Sequence, residues 1–247
     1  MAYGMYISAE GALAQSLRLE TIANNLANVD TTGFKKDLAL FQARLAEEPA
    51  RGLAPAGDGS VNDIGGGVKP CESATDFSPG PMKNTGIETD LALRGRGFFM
   101  VDKHGEQMLT RAGNFTRRPD GMLVTPDDYP VLSEDGTPII LNGPWMFSEN
   151  GTLATSDAVF RLAIAEPESL GDLAKVGENL FRPLAKVGPL PEGLRTVAQG
   201  MLEGSGVNPV REMVEMIETT RAFEANVNMI RHHDQSFGTL ISRILKV

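Results

Sequence analysis

From Asn208 onward the chain keeps one helical period without a break, and this stretch limits more than any other what the whole can fold into. Met213, Met216, Thr220, Phe223, Val227, Ile230, Asp234, Phe237, Ile241 and Ile244 follow a 3-4-3-4 spacing, and eight of these ten positions are apolar. Asn208-Pro209 marks the start, with an amide able to cap free N–H groups and a proline pre-set for the first turn. A helix from Pro209 to Lys246 spans about 57 Å at 1.5 Å per residue. A narrow seam on so long a helix is too thin for the interior of a globular core and too apolar to leave in water. Burying eight such residues gains on the order of 12 to 24 kcal/mol gross, before ordering entropy is subtracted. The seam requires a partner.

The first thirty residues carry the one other stripe of this kind. Leu19, Ile22, Leu26 and Val29 repeat at spacings of three, four and three, and the stripe extends backward through Ala12 and Met5. Gly11 costs local helix propensity about 1 kcal/mol relative to alanine. Asp30-Thr31-Thr32-Gly33 then ends the helix, through side chains that bond their own backbone and a glycine able to take positive φ. The economical arrangement pairs the two ends of the chain as a coiled coil. Thr220 and Asp234 interrupt the seam, either at a splayed, solvated point or as polar groups that fix register. Asn24, Asn25 and Asn28 carry the same two readings: solvated amides near a helix end, or, for Asn24 and Asn28 on one face, bonds to a neighbouring helix.

Between the helices, residues 47–81 are rich in Gly, Pro, Ser and Asp and have no period, so they read as an extended connector. Gly65-Gly66-Gly67 lacks the Gly-Lys-Ser/Thr ending of a phosphate loop. From about residue 85 to 165, short apolar segments alternate with turn dipeptides: Asp120-Gly121, Asp135-Gly136, Asn142-Gly143 and Asn150-Gly151. Strands are expected at 91–94, 98–102, 108–111, 122–125, 138–141 and 159–164. The expected class is α+β: terminal helices paired around a central all-β domain, antiparallel and sandwich- or barrel-like. The expected divisions are 1–33 (helix), 34–84 (connector), 85–206 (β domain and a following irregular segment) and 207–247 (helix).

Chemistry is hard to find. A net charge of -9, with 32 acidic against 23 basic residues and no dense Lys/Arg cluster, argues against nucleic acid. Cys71 is the single cysteine, so neither an internal disulfide nor a Cys-rich metal site is available. His104, His232 and His233 stand outside any ligand spacing, and the last two read as the polar flank of the long helix. Glu47-Glu48 and Asp127-Asp128 read as solvated charge rather than a glycan-cleaving pair, and Arg117-Arg118 as a strand end. No run of eighteen apolar residues exists, and the first positive side chain is Arg18, so neither a membrane span nor a cleaved secretory signal is expected. Neither catalytic residues, nor a cofactor, nor a bound metal is expected.

Ile22-Ala-Asn-Asn-Leu-Ala-Asn-Val-Asp-Thr-Thr-Gly-Phe-Lys35 resembles the amino-terminal signature of flagellar basal-body rod and hook proteins. Two further sets of segments resemble the same family. One is Gly97-Phe-Phe-Met-Val-Asp with Leu109-Thr-Arg-Ala-Gly-Asn-Phe115 and Asp120-Gly-Met-Leu-Val124; the other is Val207-Asn-Pro-Val-Arg-Glu-Met-Val214 running on through Arg221-Ala-Phe-Glu-Ala-Asn226. The resemblance implies an axial structural subunit of the basal-body rod, exported through the flagellar type III apparatus and assembled into a helical, torque-transmitting tube. Its implied partners are other rod and hook subunits, further copies of itself, and the export apparatus. The implied assembly residues are Leu19, Ile22, Asn24, Asn25, Leu26, Asn28, Val29, Met213, Met216, Phe223, Val227, Ile230, Phe237, Ile241 and Ile244, with Thr32, Gly33 and Phe34 forming the signature turn. Chain length and the approach Leu202-Glu-Gly-Ser-Gly-Val-Asn-Pro209 are most similar to a proximal-rod subunit, with distal-rod and hook-type subunits as alternatives. A free-standing coiled-coil interaction protein and a cell-wall hydrolase are the competing classes.

Overall fold

A computed structural model of the chain describes residues 2–43, 67–70, 73–155 and 158–244. Cys71, Glu47-Glu48 and Gly65-Gly66 lie outside the described residues. The chain divides into two compact units, one of Met1–Ala27, Asp37–Asp76 and Asn208–Val247, the other of Asn28–Lys36 and Phe77–Val207.

The first unit holds both long helices. Helix α1 (Ala2–Ala27) runs straight through Gly4 and Gly11, and α2 spans Pro209–Ile244. The start of α2 is capped as its residues require: Asn208 Oδ1 accepts from the Arg211 N–H at 3.2 Å, with Pro209 in the first helical position. The segment after the first helix is more ordered than a plain connector. Strands β1 (Asp37–Leu38) and β2 (Phe41–Ala43) run out, and β3 (Val68–Pro70) and β4 (Ala74–Thr75) return, pairing antiparallel as β1–β4 and β2–β3.

The second unit is an antiparallel β structure. Its strands are β5 (Met82–Asn84), β6 (Leu91–Leu93), β7 (Phe98–Lys103), β8 (Glu106–Thr110), β9 (Thr116–Arg117), β10 (Leu123–Val124), β11 (Trp145–Ser148), β12 (Thr152–Thr155), β13 (Val159–Arg161), β14 (Ile164–Pro167), β15 (Leu173–Gly177), β16 (Leu180–Pro183), β17 (Val187–Pro189), β18 (Val197–Gln199) and β19 (Met201–Glu203). Six of them form one sheet in the order β15-β16-β8-β7-β14-β17; β11-β12-β13 form a smaller one, and β6–β18, β5–β19 and β9–β10 pair two by two.

Strand alternation sends neighbouring side chains to opposite faces, and both faces of the large sheet are covered. Phe99, Val101, Met108, Ile164 and Leu180 enter the main core with Leu91, Phe115, Ile139 and Leu153. Their chain neighbours Phe98, Leu109, Ala165 and Phe181 form a second cluster behind the sheet. There Phe77, Phe98 and Phe181 meet edge-on or tilted, with ring centroids 5.3 to 5.8 Å apart.

The expected strands fall close to the observed ones with two exceptions. The 138–141 stretch makes only isolated bridges, at Pro138 and Ile140, and 159–164 breaks into the separate strands β13 and β14. Asp120-Gly121 turns as its composition requires, with Gly121 at φ +87° and the Met122 N–H bonded to Asp120 Oδ1 at 3.0 Å. The Pro/Gly-punctuated segment after residue 165 contributes β15 to β19, including both edges of the large sheet.

Candidate assembly surface and the signature turn

In the first unit, α1 and α2 pack side by side and antiparallel. A side chain at Gly4 would meet the His233 ring at 3.1 Å and one at Gly11 would meet Asn226 at 3.0 Å, while Arg18 lies 3.7 Å from Glu215. The two glycines are one heptad apart on α1, as His233 and Asn226 are on α2, so their missing side chains let polar groups of α2 nest against α1.

The covered face of α2 therefore consists of two rows. Met216, Phe223, Ile230 and Phe237, four of the expected seam residues, are half-buried in one. The other is polar: Glu212 and Thr219 are buried, and Asn226 and His233 are half-buried. Its hydroxyl and amide turn onto their own helix, Thr219 Oγ1 donating to Glu215 O at 2.7 Å and Asn226 Nδ2 to Ala222 O at 3.0 Å. His233 thus sits in the seam and not on the polar flank. The remaining expected positions lie one residue round the helix from the polar row, except Ile244, which continues the row of Met216 beyond Phe237. Val227 and Thr220 are half-buried, Met213 and Asp234 are exposed, and Ile241 and Ile244 are 56% and 70% exposed. Val210, Val214 and Ile217 add to this uncovered apolar face at one end of α2, as does Leu13 on α1.

On α1, Ile22 is buried, Leu19 and Leu26 are half-buried and Asn24 is exposed. Asn25, 3% exposed, acts as a surrogate strand partner: its Nδ2 donates to Asp37 O at 2.8 Å and its Oδ1 accepts from the Asp37 N–H at 2.9 Å. Asn25 thus serves the first ribbon strand.

The signature turn belongs to the second unit. Asn28 and Val29 are half-buried, and Asn28 accepts from Thr31 through both its carbonyl and its side chain. Gly33 has φ +67°, and a Cβ there would lie 2.5 Å from the backbone of Arg111 and Ala112, so both conformation and space demand glycine. Thr32 O accepts from Asn179 Nδ2, Phe34 O accepts from the Gly206 N–H, and Lys175 Nζ stands 4.1 Å from the centre of the buried Phe34 ring. Beneath them lies a buried ion cluster. Glu203 Oε1 accepts from Lys35 Nζ at 2.6 Å and from the Gly80 N–H at 2.9 Å, and Oε2 accepts from Arg111 Nη1 at 3.3 Å. Lys35 and Glu203 are each 1% exposed. Burial pushes the Arg111 guanidinium down from its ordinary value, while the Glu203 charge works in the opposite direction.

Among the described residues no group of three or more His, Cys, Asp or Glu is placed to hold a metal ion. Asp128 is tied to Arg118, which lowers its carboxyl below the usual range, and the Arg117 guanidinium donates to Gly143 O. No helix among the described residues is long and apolar enough to cross a membrane.

Three family descriptions match this chain: "Flagella basal body rod protein" over residues 5–35, "Flagellar hook protein FlgE/F/G D1 domain" over 92–164, and "Flagellar basal body rod FlgEFG protein C-terminal" over 198–243. Among curated relatives, the flagellar basal-body rod protein FlgF of Caulobacter vibrioides is 34% identical over 100% of both chains. The chain belongs to the flagellar basal-body rod protein family. FlgG of Borreliella burgdorferi is 33% identical over 96% of this chain and 97% of its own, and FlgG of Caulobacter vibrioides 32% over 92% and 94%. The chain is thus a structural subunit of the flagellar basal-body rod, and the family is not enzymatic.

The three matched regions meet in the ion cluster of this rod subunit: Lys35 comes from the first, Arg111 from the second and Glu203 from the third. The turn expected from the sequence was Thr32, Gly33 and Phe34, and Lys35, Arg111 and Glu203 in the same family-like segments carried no expected role. For Arg111 and Glu203 the available signal is a lone charge in the otherwise uncharged segments 109–115 and 202–209.

Proposed function

We propose that this rod subunit is a proximal-rod component that assembles through its terminal helices into a helical, torque-transmitting tube. The observation that carries the reading is the uncovered apolar face of α2, where Val210, Met213, Val214, Ile217, Ile241 and Ile244 are each half or more exposed. One heterologous contact repeated along a non-closing rotation gives a helical assembly, so a single such face can specify a tube. Met216, Phe223, Ile230 and Phe237, with Leu19, Ile22 and Leu26, then hold the helix pair, while Met213, Val227, Ile241 and Ile244 meet neighbouring subunits. Those neighbours are further copies of this chain and other axial subunits, reached after export through the flagellar type III apparatus.

Support for the proximal position comes from one organism. The Caulobacter vibrioides FlgF aligns with the whole chain and its FlgG with 92% of it. A distal-rod position is the second reading, favoured by the 33% identity to the Borreliella burgdorferi FlgG.

The test is complementation of a deletion strain with the full chain, a chain ending at Gly206, or the full chain carrying Ile241→Asp, read by swimming and cryo-electron tomography of basal bodies. We expect complete rods with the full chain alone, and an epitope tag on it at the membrane-proximal end of the rod. A tag at the distal end overturns the proximal assignment. Normal rods with Ile241→Asp overturn the role of the exposed face.

A further inference from the structure

We infer that the Lys35–Glu203–Arg111 cluster is a folding latch, which makes residues 28–36 an integral part of the β unit, so that they order with it and not with the helix they follow. The inference is independent of where in the rod the subunit sits.

The cluster cannot exist until the β unit does. Its carboxylate projects from β19, whose pairing with β5 sets Glu203 opposite Met82. Lys35 Nζ needs the Ser78 carbonyl as well as Glu203, and Arg111 Nη2 needs the Gly95 carbonyl, with its guanidinium 5.1 Å from the centre of the Phe98 ring. These positions lie far apart in sequence, so no local structure prepares the site. Two cations and one anion, each 7% exposed or less, are stable in an apolar interior only when all are present and hydrogen-bonded. Backbone bonds run alongside: the Gly33 N–H donates to Glu203 O at 2.7 Å, the Gly206 N–H to Phe34 O at 3.0 Å, and Lys175 Nζ to Lys35 O at 2.9 Å.

The preceding helix belongs to the other unit, where it packs along α2, with Arg18 3.7 Å from Glu215, and holds the first ribbon through Asn25 and Asp37. A helix pair whose apolar seam residues Met216, Phe223, Ile230 and Phe237 are only half-buried opens more readily than a closed core. The boundary between the two behaviours therefore falls at Ala27 to Asn28, inside the signature, rather than at its end.

Native-state hydrogen exchange on the full-length monomer tests this. The Gly33 and Gly206 amides are expected to exchange in the same opening as Leu109 and Leu123 of the β unit. Amides of α1 such as Leu19 are expected to exchange about a hundredfold faster or more. Lys35→Met, which takes away one of the two cations that meet Glu203, is expected to speed exchange at Gly33 by about a hundredfold, and adding Glu203→Gln, which leaves Arg111 a buried cation without its anion, to deepen the loss. If Lys35→Met does not fold, the wild-type comparison alone decides. Exchange of Gly33 together with α1, or unchanged Gly33 protection in Lys35→Met, overturns the latch.

Discussion

The β unit and the helix pair bury their residues on opposite plans. Phe99, Val101, Ile139 and Leu153 are fully out of water in the β unit, whereas the 36 residues of α2 include only Glu212 and Thr219 as buried positions, neither of them apolar. A body with both faces of its main sheet covered is complete in one chain. A pair of helices with a partly polar seam and an uncovered apolar flank is not, and its stability depends on what else is present. The difference separates a self-sufficient folding unit from a helix pair that leaves apolar side chains uncovered.

Phe99→Ala makes the largest break in that contrast. Removing a fully buried ring costs about 3 to 5 kcal/mol, and thermal unfolding followed by near-UV circular dichroism should show the β unit melting far earlier. A loss under 1 kcal/mol would mean that the core is not the tight body described. Gly33→Ala comes next, at about 1 to 3 kcal/mol from positive φ alone, with the contact on the Arg111 backbone adding to it. Since Gly33 belongs to the β unit, urea unfolding of that unit should register the loss.

Asn208→Ala should cost about 1 kcal/mol through the lost cap. Its effect should stay in the first turns of α2, read by amide exchange, with the melting of the β unit unchanged. The smallest effect is a local titration. Hydrogen bonds from Lys103 and then Tyr129 hold the Glu178 carboxyl below its ordinary 4.5. Because the folded value is the lower one, this tie is present above the unfolded value and is lost as pH falls through the folded one. An NMR titration of Glu178 should give a midpoint under 4.5 that returns toward it in Lys103→Met.

What was legible in the residues was local. The 3-4-3-4 spacing announced α2, Asn208-Pro209 announced its start, and Asp120-Gly121 its turn, because each depends on neighbours within about four positions. The strands β15 to β19 were not legible: they are three to five residues long, and their prolines and glycines read as breaks. The polar row Glu212, Thr219, Asn226 and His233 was equally hidden, since a hydrophobic period counts apolar residues only.

The sequence by itself determined two long helices, a turn-rich β region between them, and family membership through the signature from Ile22 to Lys35. Tertiary structure alone decided which face of α2 meets α1, because that choice depends on the space left by Gly4 and Gly11 on another helix. It also decided that Lys35 and Glu203, 168 residues apart, share one buried ion pair with Arg111. Periods and caps are short-range properties of the backbone, while the match of a charge to a distant partner exists only once the chain has closed around both.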